Sequence, residues 1–355
     1  MNNRFTQLRR HWRRLLLPAL IVLYLLFLVI YGLLWQLKAD QLWQIDLMSN
    51  FSAWYFLPAL PLLIIAVLLK RSRWALLLLI PLLAYAVKYG PRFLTRGVAA
   101  SANETTQLTV MTMNMLKLNT DWEAVQAQIK AVNPDVLTLQ EIPDAFLKDV
   151  WPALAATYPY AIHVYSPEEE SNMGFLSRYP IIEQAAFYLP DDFHLIHIRA
   201  VIDVHEHHLV VYNLHLAAPA FERNTSPSRF IGRIFPYQYS AYYRRWQMGA
   251  FYPRLAQETL PVLVMGDFNT ADTSGDYGRF KASSGLQDTF AEVGLGMGFT
   301  FPAQVTLKQR QLPFVPLMRL DYIWHNPQWQ ALSAWLGGPT GSDHLPVVAQ
   351  LKLVP

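Results

Sequence analysis

The residues of this chain that are best suited to chemistry are polar side chains that directly follow runs of apolar residues. In residues 260–270, LPVLVMGDFNT, an apolar run reaches Gly266, and Asp267 and Asn269 then stand on either side of Phe268. A carboxylate and a carboxamide two residues apart on an extended chain point to one side, so both can reach one phosphate or one hard cation. Alone, the stretch also fits a turn after a strand. Comparable polar groups recur at Asn114, Glu141, His215, Asp321, Asp343 and His344.

This set of side chains predicts metal-assisted hydrolysis. It contains no cysteine and is rich in carboxylate and carboxamide oxygen, which suits Mg²⁺, with Mn²⁺ or Ca²⁺ possible, better than a structural zinc ion. Histidines beside carboxylates are suited to proton transfer. Activation of water by such a pair, with a cation to neutralise developing charge, is what attack on a phosphate ester requires.

Short strands are expected to position these groups. Residues 108–113 alternate as a strand that ends at Asn114, and residues 121–132 have apolar residues at helical spacing, with Asp121 as a possible N-cap. Residues 136–139 form a second buried strand, which leads to Glu141.

The rest of the chain repeats this pattern. Strands are predicted for residues 173–176, 195–204, 209–214, 262–265, 320–324 and 347–353. The histidines within residues 205–208 are interpreted as an exposed hairpin turn, since alternating residues of a short loop do not converge on one ion. Many short strands with few helices indicate an α/β fold made of two packed sheets with helices outside them, an α/β sandwich.

Charge is divided unevenly along the 355 residues. Residues 1–100 carry 12 Lys and Arg against 2 Asp, a net charge of +10, whereas residues 101–355 carry 17 Lys and Arg against 24 acidic residues, a net charge of −7. A nuclease that binds duplexes needs cationic surface to replace phosphate counterions. The acidic second part of the chain therefore disfavours a nucleic-acid substrate.

The basic first part contains three apolar segments. Residues 15–35 and 51–69 run for 21 and 19 residues without a charge, long enough to cross a hydrocarbon core of about 30 Å. Residues 74–87 are short for a span, although flanking cations can extend it by snorkelling. We predict an N-terminal transmembrane helical region at 15–90, with helices at about 15–35, 51–69 and 74–89, and a linker at 91–106.

The basic residues also predict an orientation. The positive-inside rule places residues 1–14 and the turn at 70–73 in the cytoplasm. Three spans place the rest of the chain outside the cell, whereas two spans place it inside, where Lys88, Arg92 and Arg96 would also count as cytoplasmic charges. We favour three spans, which make a multi-pass protein of the cell membrane, anchored in the lipid bilayer, with an extracytoplasmic catalytic domain.

Seven ordered motifs resemble those of the endonuclease/exonuclease/phosphatase superfamily of metal-dependent phosphoesterases. They are MTMNM, LTLQE, MGFLSRYPI, NLHL, MGDFN, LDYIW and GSDHLPV, and the resemblance covers about residues 107–353. It implies a catalytic domain over residues 107–355 with the four-layer α/β sandwich of pancreatic deoxyribonuclease. It also implies hydrolysis of a phosphodiester or phosphomonoester by water.

The resemblance assigns a metal-binding role to three residues. Asn114 and Glu141 match the metal-side pair of the family, with Glu141 as the principal ligand, and Asp343 matches a further carboxylate on that side. Whether one or two ions bind stays open.

The resemblance assigns catalytic roles to five others. Asp267 and Asn269 match the pair that orients the nucleophilic water and the scissile phosphate, and His215 matches a histidine that donates to a phosphate oxygen or the leaving group. His344, oriented by Asp321, matches the general base or a phosphate-binding imidazole. The motifs do not decide whether His344 or Asp267 takes the proton from water.

Two further features concern the substrate. Arg199 is predicted to bind it, the alternative being an ordinary cross-strand charge. Residues 217–238 form an insertion that leads into a predicted helix at 239–255 and interleaves aromatic residues with arginines. Our hypothesis is a lip that meets lipid headgroups or an aromatic substrate, the alternative being that these aromatics pack onto the sandwich. The aromatic and apolar residues are Phe221, Phe230, Ile231, Ile234, Phe235, Tyr237, Tyr239, Tyr242, Tyr243 and Trp246, and the arginines are Arg223, Arg229, Arg233, Arg244 and Arg245.

Three functions are compatible with the sequence. The favoured one is a membrane-anchored, Mg²⁺-dependent phosphoesterase acting on a lipid-derived or small phosphate ester. The alternatives are an anchored nuclease acting on DNA or RNA and a catalytically silent binding protein with the same fold. The sequence indicates no protein partner.

Overall fold

The computed structural model describes residues 2–38, 42–94, 106–166, 171–190, 195–222, 238–307 and 310–354, and the chain divides into two units, Met1–Phe93 and Leu94–Pro355. Most of the linker predicted at 91–106 lies outside the described residues, as does much of the insertion, including Arg223, Arg229, Phe230, Ile231, Arg233, Ile234, Phe235 and Tyr237.

The first unit is helical. Its α-helices are α1 (Asn2–Lys38), α2 (Trp43–Ser49), α3 (Ala59–Leu68) and α4 (Ser72–Tyr89), and 3₁₀ helices cover Ser52–Phe56 and Gly90–Phe93.

Two of these helical stretches, Leu15–Leu37 and Ser72–Phe93, are long and apolar enough to cross a membrane. The single helix predicted at 51–69 is wrong, because the chain there forms a 3₁₀ helix, a turn at 57–58 and then α3. Pro58, which has no N–H to donate, precedes α3 directly. The segment becomes a third candidate span only if the bent pair Trp43–Ser49 and Ser52–Leu68, which meet at 77°, counts as one.

The second unit is built on two six-stranded sheets. The first sheet has the order β15-β16-β1-β2-β4-β3, and the second has the order β11-β14-β10-β7-β6-β5. Its strands are β1 (Gln107–Asn114), β2 (Val136–Ile142), β3 (Tyr160–Ser166), β4 (Ser171–Ser177), β5 (Ile181–Tyr188), β6 (Ile196–Val204), β7 (His207–His215), β8 (Ala220–Glu222), β9 (Gln238–Ser240), β10 (Val262–Asp267), β11 (Gln287–Asp288), β12 (Gln304–Leu307), β13 (Arg310–Pro313), β14 (Asp321–His325), β15 (Trp329–Leu336) and β16 (Val347–Leu353).

Three apolar clusters separate four layers, which confirms the predicted α/β sandwich. Side chains such as Val110 and Val211 fill the space between the sheets. The outer face of the first sheet is covered by helices through Met111, Val125 and Phe146, and the outer face of the second is covered through residues such as Phe251. The helices of this unit are α5 (Trp122–Val132), α6 (Asp144–Asp149), α7 (Trp151–Leu154), α8 (Tyr242–Leu255), α9 (Gly275–Ser284) and α10 (Thr289–Val293).

The predicted elements agree with the structure where the apolar pattern was regular. All the predicted strands are present, and α5 begins after Asp121, whose carboxylate accepts a hydrogen bond from the backbone N–H of Ala124 at 3.1 Å. The turn at 205–208 is exposed, as expected. The helix predicted at 239–255 is instead the short strand β9 followed by α8.

One parallel pair lies inside each sheet, and these pairs fix where polar groups meet. In the first sheet β1 is parallel to β2, and in the second β7 is parallel to β10. The carboxyl ends of parallel neighbours lie at the same edge of a sheet. Each of these four strands therefore delivers its last residues to the edge at which its partner also ends.

Candidate active site

Six of the predicted polar residues meet at this edge, between the two sheets. Asn114, His215 and Asp267 end β1, β7 and β10, and each continues the row of side chains that faces the other sheet. Asp321 begins β14, which is antiparallel to β10, and pairs in register with Asp267. Glu141 and His344 complete the group through the contacts given below.

Glu141 reaches the site because β2 is irregular at its end. Regular alternation would turn Glu141 to the outer face, with Leu137 and Leu139, which pack there. Instead the register with β4 shifts between Leu139 and Ile142, and Glu141 has a φ of +51°. A bulge of this kind redirects a side chain. Glu141 Oε1 consequently lies 2.9 Å from Asn114 Nδ2 and 3.5 Å from His215 Nε2.

Asn114 connects the two sheets at the site. Its buried amide nitrogen donates to Glu141 Oε1 and, at 3.1 Å, to Asp267 Oδ2 on the opposite sheet. Its Oδ1 accepts from the backbone N–H of Leu116 at 2.9 Å. The amide therefore fixes the relative position of two carboxylates from different sheets.

Asp267 lies at the centre of the group. Its Oδ2 is 3.8 Å from His344 Nε2 and 3.9 Å from His215 Nε2, and its Oδ1 accepts a 2.7 Å hydrogen bond from the backbone N–H of Asn269. Asn269 has a φ of +50°, and its Nδ2 donates to the carbonyl of Leu216. Backbone and side chain of Asn269 thus hold the loop that follows Asp267 against the end of β7.

His344 is held by Asp321. Its Nδ1 lies 2.8 Å from Asp321 Oδ2, which places the proton on Nδ1 and directs Nε2 towards Asp267. Asp321 is fully buried, and its Oδ1 has no hydrogen-bond partner among the described residues. Ser342 anchors this loop, because its hydroxyl donates to the carbonyl of Asn114 and accepts from the backbone N–H of His344.

Burial and charge act in opposite directions on three of these groups. Burial raises the pKa of Asp267 to about 6, with a contribution from Asp321, against the lowering effect of His344 and His215. Burial lowers the pKa of His344, but Asp321 and Asp267 overcome this and raise it to about 10. Burial also opposes ionisation of Glu141, yet His215 and the hydrogen bond from Asn114 lower its pKa.

The side chains fit a divalent cation in two ways. Asp267, Asp321 and His344 each offer a ligand atom, and these atoms lie within 4.8 Å of one another. Glu141 is the more accessible carboxylate, since its side chain is 28% exposed against 1% for Asp267. In the first arrangement, Nδ1 of His344 is already bonded to Asp321 and is not available to an ion. In the second, Glu141 is the carboxylate that an ion arriving from solvent reaches first. The assignment of Asn114, Glu141 and Asp343 to the metal remains a prediction.

Asp343 lies on the loop just before His344 and is half-buried. Burial raises the pKa of its carboxyl group despite the neighbouring His344, and the charge of Glu141 adds to the rise. Its carbonyl accepts a 2.7 Å hydrogen bond from the backbone N–H of Ala303.

The predicted substrate contact of Arg199 is wrong. Arg199 pairs across the strands with Tyr212, whose side chain faces the outer helices, whereas His215 faces the other sheet. There its guanidinium bonds to Glu258 at 2.7 and 3.0 Å and to Glu183 at 3.2 Å. The alternative, an ordinary cross-strand charge, describes this residue, whose partner Glu183 lies on the neighbouring strand β5.

The sequence did not identify two side chains of α8 that support the site. Arg244, expected in the basic lip, is instead buried, and its Nη1 donates to the carbonyl of Asn269. One turn along, Gln247 Oε1 accepts from the backbone N–H of Ala217 at 2.6 Å. Spacings of three place both residues on one helix face, so the R-x-x-Q pattern was the available signal. The two residues hold the loops that follow β10 and β7.

A second missed feature is a polar bridge beneath the site. Gln140 Nε2 donates to Asn213 Oδ1 at 2.6 Å and to Thr112 Oγ1 at 3.1 Å. Asn213 donates in turn to the carbonyls of Leu139 and Gly174. Asn213 lies two residues before His215, so a shared strand face was the signal for it.

Helix α8, which follows the insertion, supports the packing alternative along one face. Its residues Met248, Phe251 and Leu255 are buried against the second sheet. Tyr242, Tyr243 and Trp246 are more than 40% exposed.

We expect Arg244→Met to destabilise the second unit by about 3–5 kcal/mol, because it leaves Asp276 with one buried partner fewer and frees the carbonyl of Asn269. Urea unfolding measures this change. Arg245→Gln is the matched control, since Arg245 also bonds to Asp276 at 2.7 Å but its side chain is 30% exposed. Equal small losses for both variants would contradict the anchoring role of Arg244.

Comparisons with known proteins find similarity in the second unit. The model of the Endonuclease/Exonuclease/phosphatase family matches residues 111–344. No curated protein matches the chain.

Solved structures share its fold. The human Nocturnin catalytic domain with bound sulfate is 19% identical, with 74% of this chain and 99% of that chain covered and a TM-score of 0.53. D. rerio TDP2 complexed with a single-strand DNA product is 16% identical, with 69% and 99% covered and a TM-score of 0.54. The endonuclease/exonuclease/phosphatase protein from Bacteroides vulgatus is 17% identical, with 70% and 99% covered and a TM-score of 0.52. At these identities the likeness concerns the fold.

Proposed function

We propose that this chain is a membrane-anchored, Mg²⁺-dependent enzyme for a lipid-derived or small phosphate ester. The chain belongs to the endonuclease/exonuclease/phosphatase family and is a hydrolase acting on phosphate ester bonds. The observation that carries the proposal is the convergence of Asn114, Glu141, His215, Asp267, Asp321 and His344 at one edge of the sandwich.

Each side chain of the site is assigned a separate role in the attack of water on the phosphate. Asp267 Oδ2 faces both imidazoles, and we assign it the proton of the attacking water. His344, held by Asp321, directs Nε2 at Asp267 Oδ2 and stabilises that carboxylate, which keeps the proton, and His215 donates a proton to a phosphate oxygen or the leaving group. Asn269 orients the phosphate. Glu141, with Asn114 and Asp343, would hold Mg²⁺, which when bound neutralises the charge that develops on the phosphate.

Exposed apolar residues that follow a hairpin beside the site support an amphiphilic substrate. Strands β12 and β13 form this hairpin, and the backbone N–H of Ala303 and the side chain of Gln304 tie its base to the carbonyls of Asp343 and Gly341. Beyond β13, Phe314 is 44% exposed and Val315 is 71% exposed. Exposed apolar side chains that border a site are typical of surfaces that meet lipid or another partner. Together with the net charge of −7 after residue 100, this favours a lipid-derived ester over nucleic acid.

The hairpin gives a test of substrate class. We expect the double variant Phe314→Ser with Val315→Ser, in the full chain, to lower kcat/KM for a phospholipid in mixed micelles by about 10-fold, because two apolar contacts are lost. Hydrolysis of soluble bis(p-nitrophenyl) phosphate should not change.

Ile182→Ser is the control for this test. Ile182 is 46% exposed and lies at the start of β5, at the end of the strands farthest from His215. Equal losses on both substrates would remove the argument for a lipid. Faster, salt-sensitive hydrolysis of single-stranded DNA than of any lipid would replace the proposal with a nuclease.

The membrane anchor and its orientation are part of the proposal. Exposed leucines along Leu15–Leu37 and Ser72–Phe93 suit a lipid environment. With the bent pair Trp43–Ser49 and Ser52–Leu68 as a third span between them, the basic residues favour an extracytoplasmic catalytic unit. The chain has no cysteine, so Leu295→Cys, at a residue 60% exposed, introduces a single label site. We expect a membrane-impermeant maleimide to label it in intact cells. Labelling only after cell lysis would place the catalytic unit in the cytoplasm.

A further inference from the structure

The first unit contains a pocket of about 260 Å³ between the end of α1, the 3₁₀ helix Ser52–Phe56 and the end of α4. Its polar lining comes from Tyr31, Trp35, Gln36, Ser52, Tyr55 and Lys88. The pocket belongs wholly to this unit and has no role in the chemistry described above.

One hydrogen-bond donor in the lining has no acceptor. Trp35 Nε1 is buried and has no hydrogen-bond partner among the residues that the structure describes, while the buried Tyr31 Oη lies beside Ser52. In a low-dielectric surrounding a donor without an acceptor is costly, and this cost is removed when a ligand or water accepts the bond. The indole N–H of Trp35 is therefore satisfied only by an acceptor that enters from the pocket, and the Tyr31 hydroxyl is a second polar group beside it.

Lys88 adds a positive charge at the same place. Its Nζ lies 5.9 Å from the centre of the Trp35 ring and 5.2 Å from the centre of the Tyr89 ring. No acidic side chain lines the pocket among the described residues. Two neutral donors and one cation, with no acid, are complementary to an anion that has several oxygen acceptors.

The pocket lies beside the C-terminal ends of α1 and α4. Trp35 is three residues from the end of α1, and Lys88 is one residue from the end of α4. Their contact shows that these two helix ends lie side by side. Trp, Tyr and Lys at the ends of membrane helices sit at the depth of the lipid headgroups.

We propose that this pocket binds the phosphate of an anionic phospholipid headgroup, such as that of phosphatidylglycerol. The proposal rests on the membrane insertion proposed above. Tyr31, Trp35 and Lys88 donate to the phosphate oxygens, and the apolar walls at Leu28 and Phe56 contact the glycerol and the first methylenes of the acyl chains. A choline or ethanolamine headgroup carries its own cation, which meets Lys88 with no acid to balance it. Inorganic phosphate offers the same oxygens without the apolar part.

The test counts lipids retained by the full chain. The chain is purified in a mild detergent and incubated with phosphatidylglycerol or phosphatidylcholine in EDTA, so that no metal-dependent hydrolysis consumes either lipid. Native mass spectrometry then gives the fraction of protein with one lipid bound. We expect at least 5-fold more retained phosphatidylglycerol than phosphatidylcholine, and a loss of that preference in Lys88→Gln.

Three variants make the test specific. Tyr31→Phe and Trp35→Phe each remove a donor while keeping an aromatic ring, and each should lower phosphatidylglycerol retention at least 2-fold even if Lys88→Gln folds poorly. Lys70→Gln is the matched control, because Lys70 precedes α4 at its other end and should keep full retention.

Equal retention of the two lipids would overturn the proposal, and so would full retention by Lys88→Gln and Tyr31→Phe. Displacement of the lipid by an equal concentration of inorganic phosphate would overturn its lipid part. The outcome is separable from the proposed function. A chain that fails to float with liposomes refutes the membrane anchor, a floating chain without headgroup preference refutes only the pocket, and hydrolysis is measured independently of both.

Discussion

Asp267→Asn is expected to lower kcat for phosphodiester hydrolysis by about 10³-fold or more, with little change in KM. Asp267 Oδ2 faces His215, His344 and Asn114 at 3.1–3.9 Å, so it is the group through which both imidazoles and the other sheet meet. An amide of the same shape keeps the packing but cannot accept the proton of the attacking water.

The measurement is steady-state hydrolysis of bis(p-nitrophenyl) phosphate by the full chain in detergent with Mg²⁺. Asp149→Asn, which removes an exposed carboxylate at the end of α6, is the control and should keep wild-type kcat. A folded Asp267→Asn protein with more than a tenth of the wild-type kcat would exclude Asp267 as the proton acceptor.

The second large effect is expected for Asp321→Asn, on the order of 10³-fold in kcat. Asp321 holds His344 through the 2.8 Å contact with Nδ1, and this contact sets which nitrogen faces Asp267. An asparagine removes the charge that raises the pKa of His344, and it can offer its NH₂ group to Nδ1, which leaves the neutral imidazole with its only N–H on Nε2.

The chain supplies its own control for this variant. Glu292 and His325 form another carboxylate–imidazole pair, with 3.1 Å between Oε2 and Nε2, and His325 lies at the other end of β14. Glu292→Gln changes the same chemistry away from the site and should leave kcat within about 2-fold of wild type. Comparable losses in both variants would show that the effect of Asp321→Asn is structural.

The predictable part of the site was the part that regular strands position. Asn114, His215 and Asp267 follow apolar runs whose alternation is visible in the sequence, and parallel pairing brings such strand ends together. Glu141 was identified by its motif, but its orientation depends on a bulge at which it has a positive φ. A non-glycine residue in the sequence gives no indication of a positive φ. Only the packed structure reveals such a change of direction.

Errors arose where tertiary contacts overrode local composition. Arg199 was predicted to bind substrate and Arg244 to belong to a basic lip, yet the first bonds to Glu258 on an outer face and the second supports the loop of Asn269. Neither partner lies near its arginine in sequence, so spacing carried no signal. The span predicted at 51–69 failed for a local reason, because Pro58 precedes a separate short helix.

The most direct test of the proposed chemistry is the metal dependence of hydrolysis by the full chain. With bis(p-nitrophenyl) phosphate we expect turnover in Mg²⁺, its loss in EDTA, recovery when Mg²⁺ is restored, and a weaker apparent affinity for Mg²⁺ in Glu141→Gln. Turnover that continues unchanged in EDTA, or a Glu141→Gln protein with the wild-type Mg²⁺ requirement, would contradict a metal-dependent mechanism centred on Glu141.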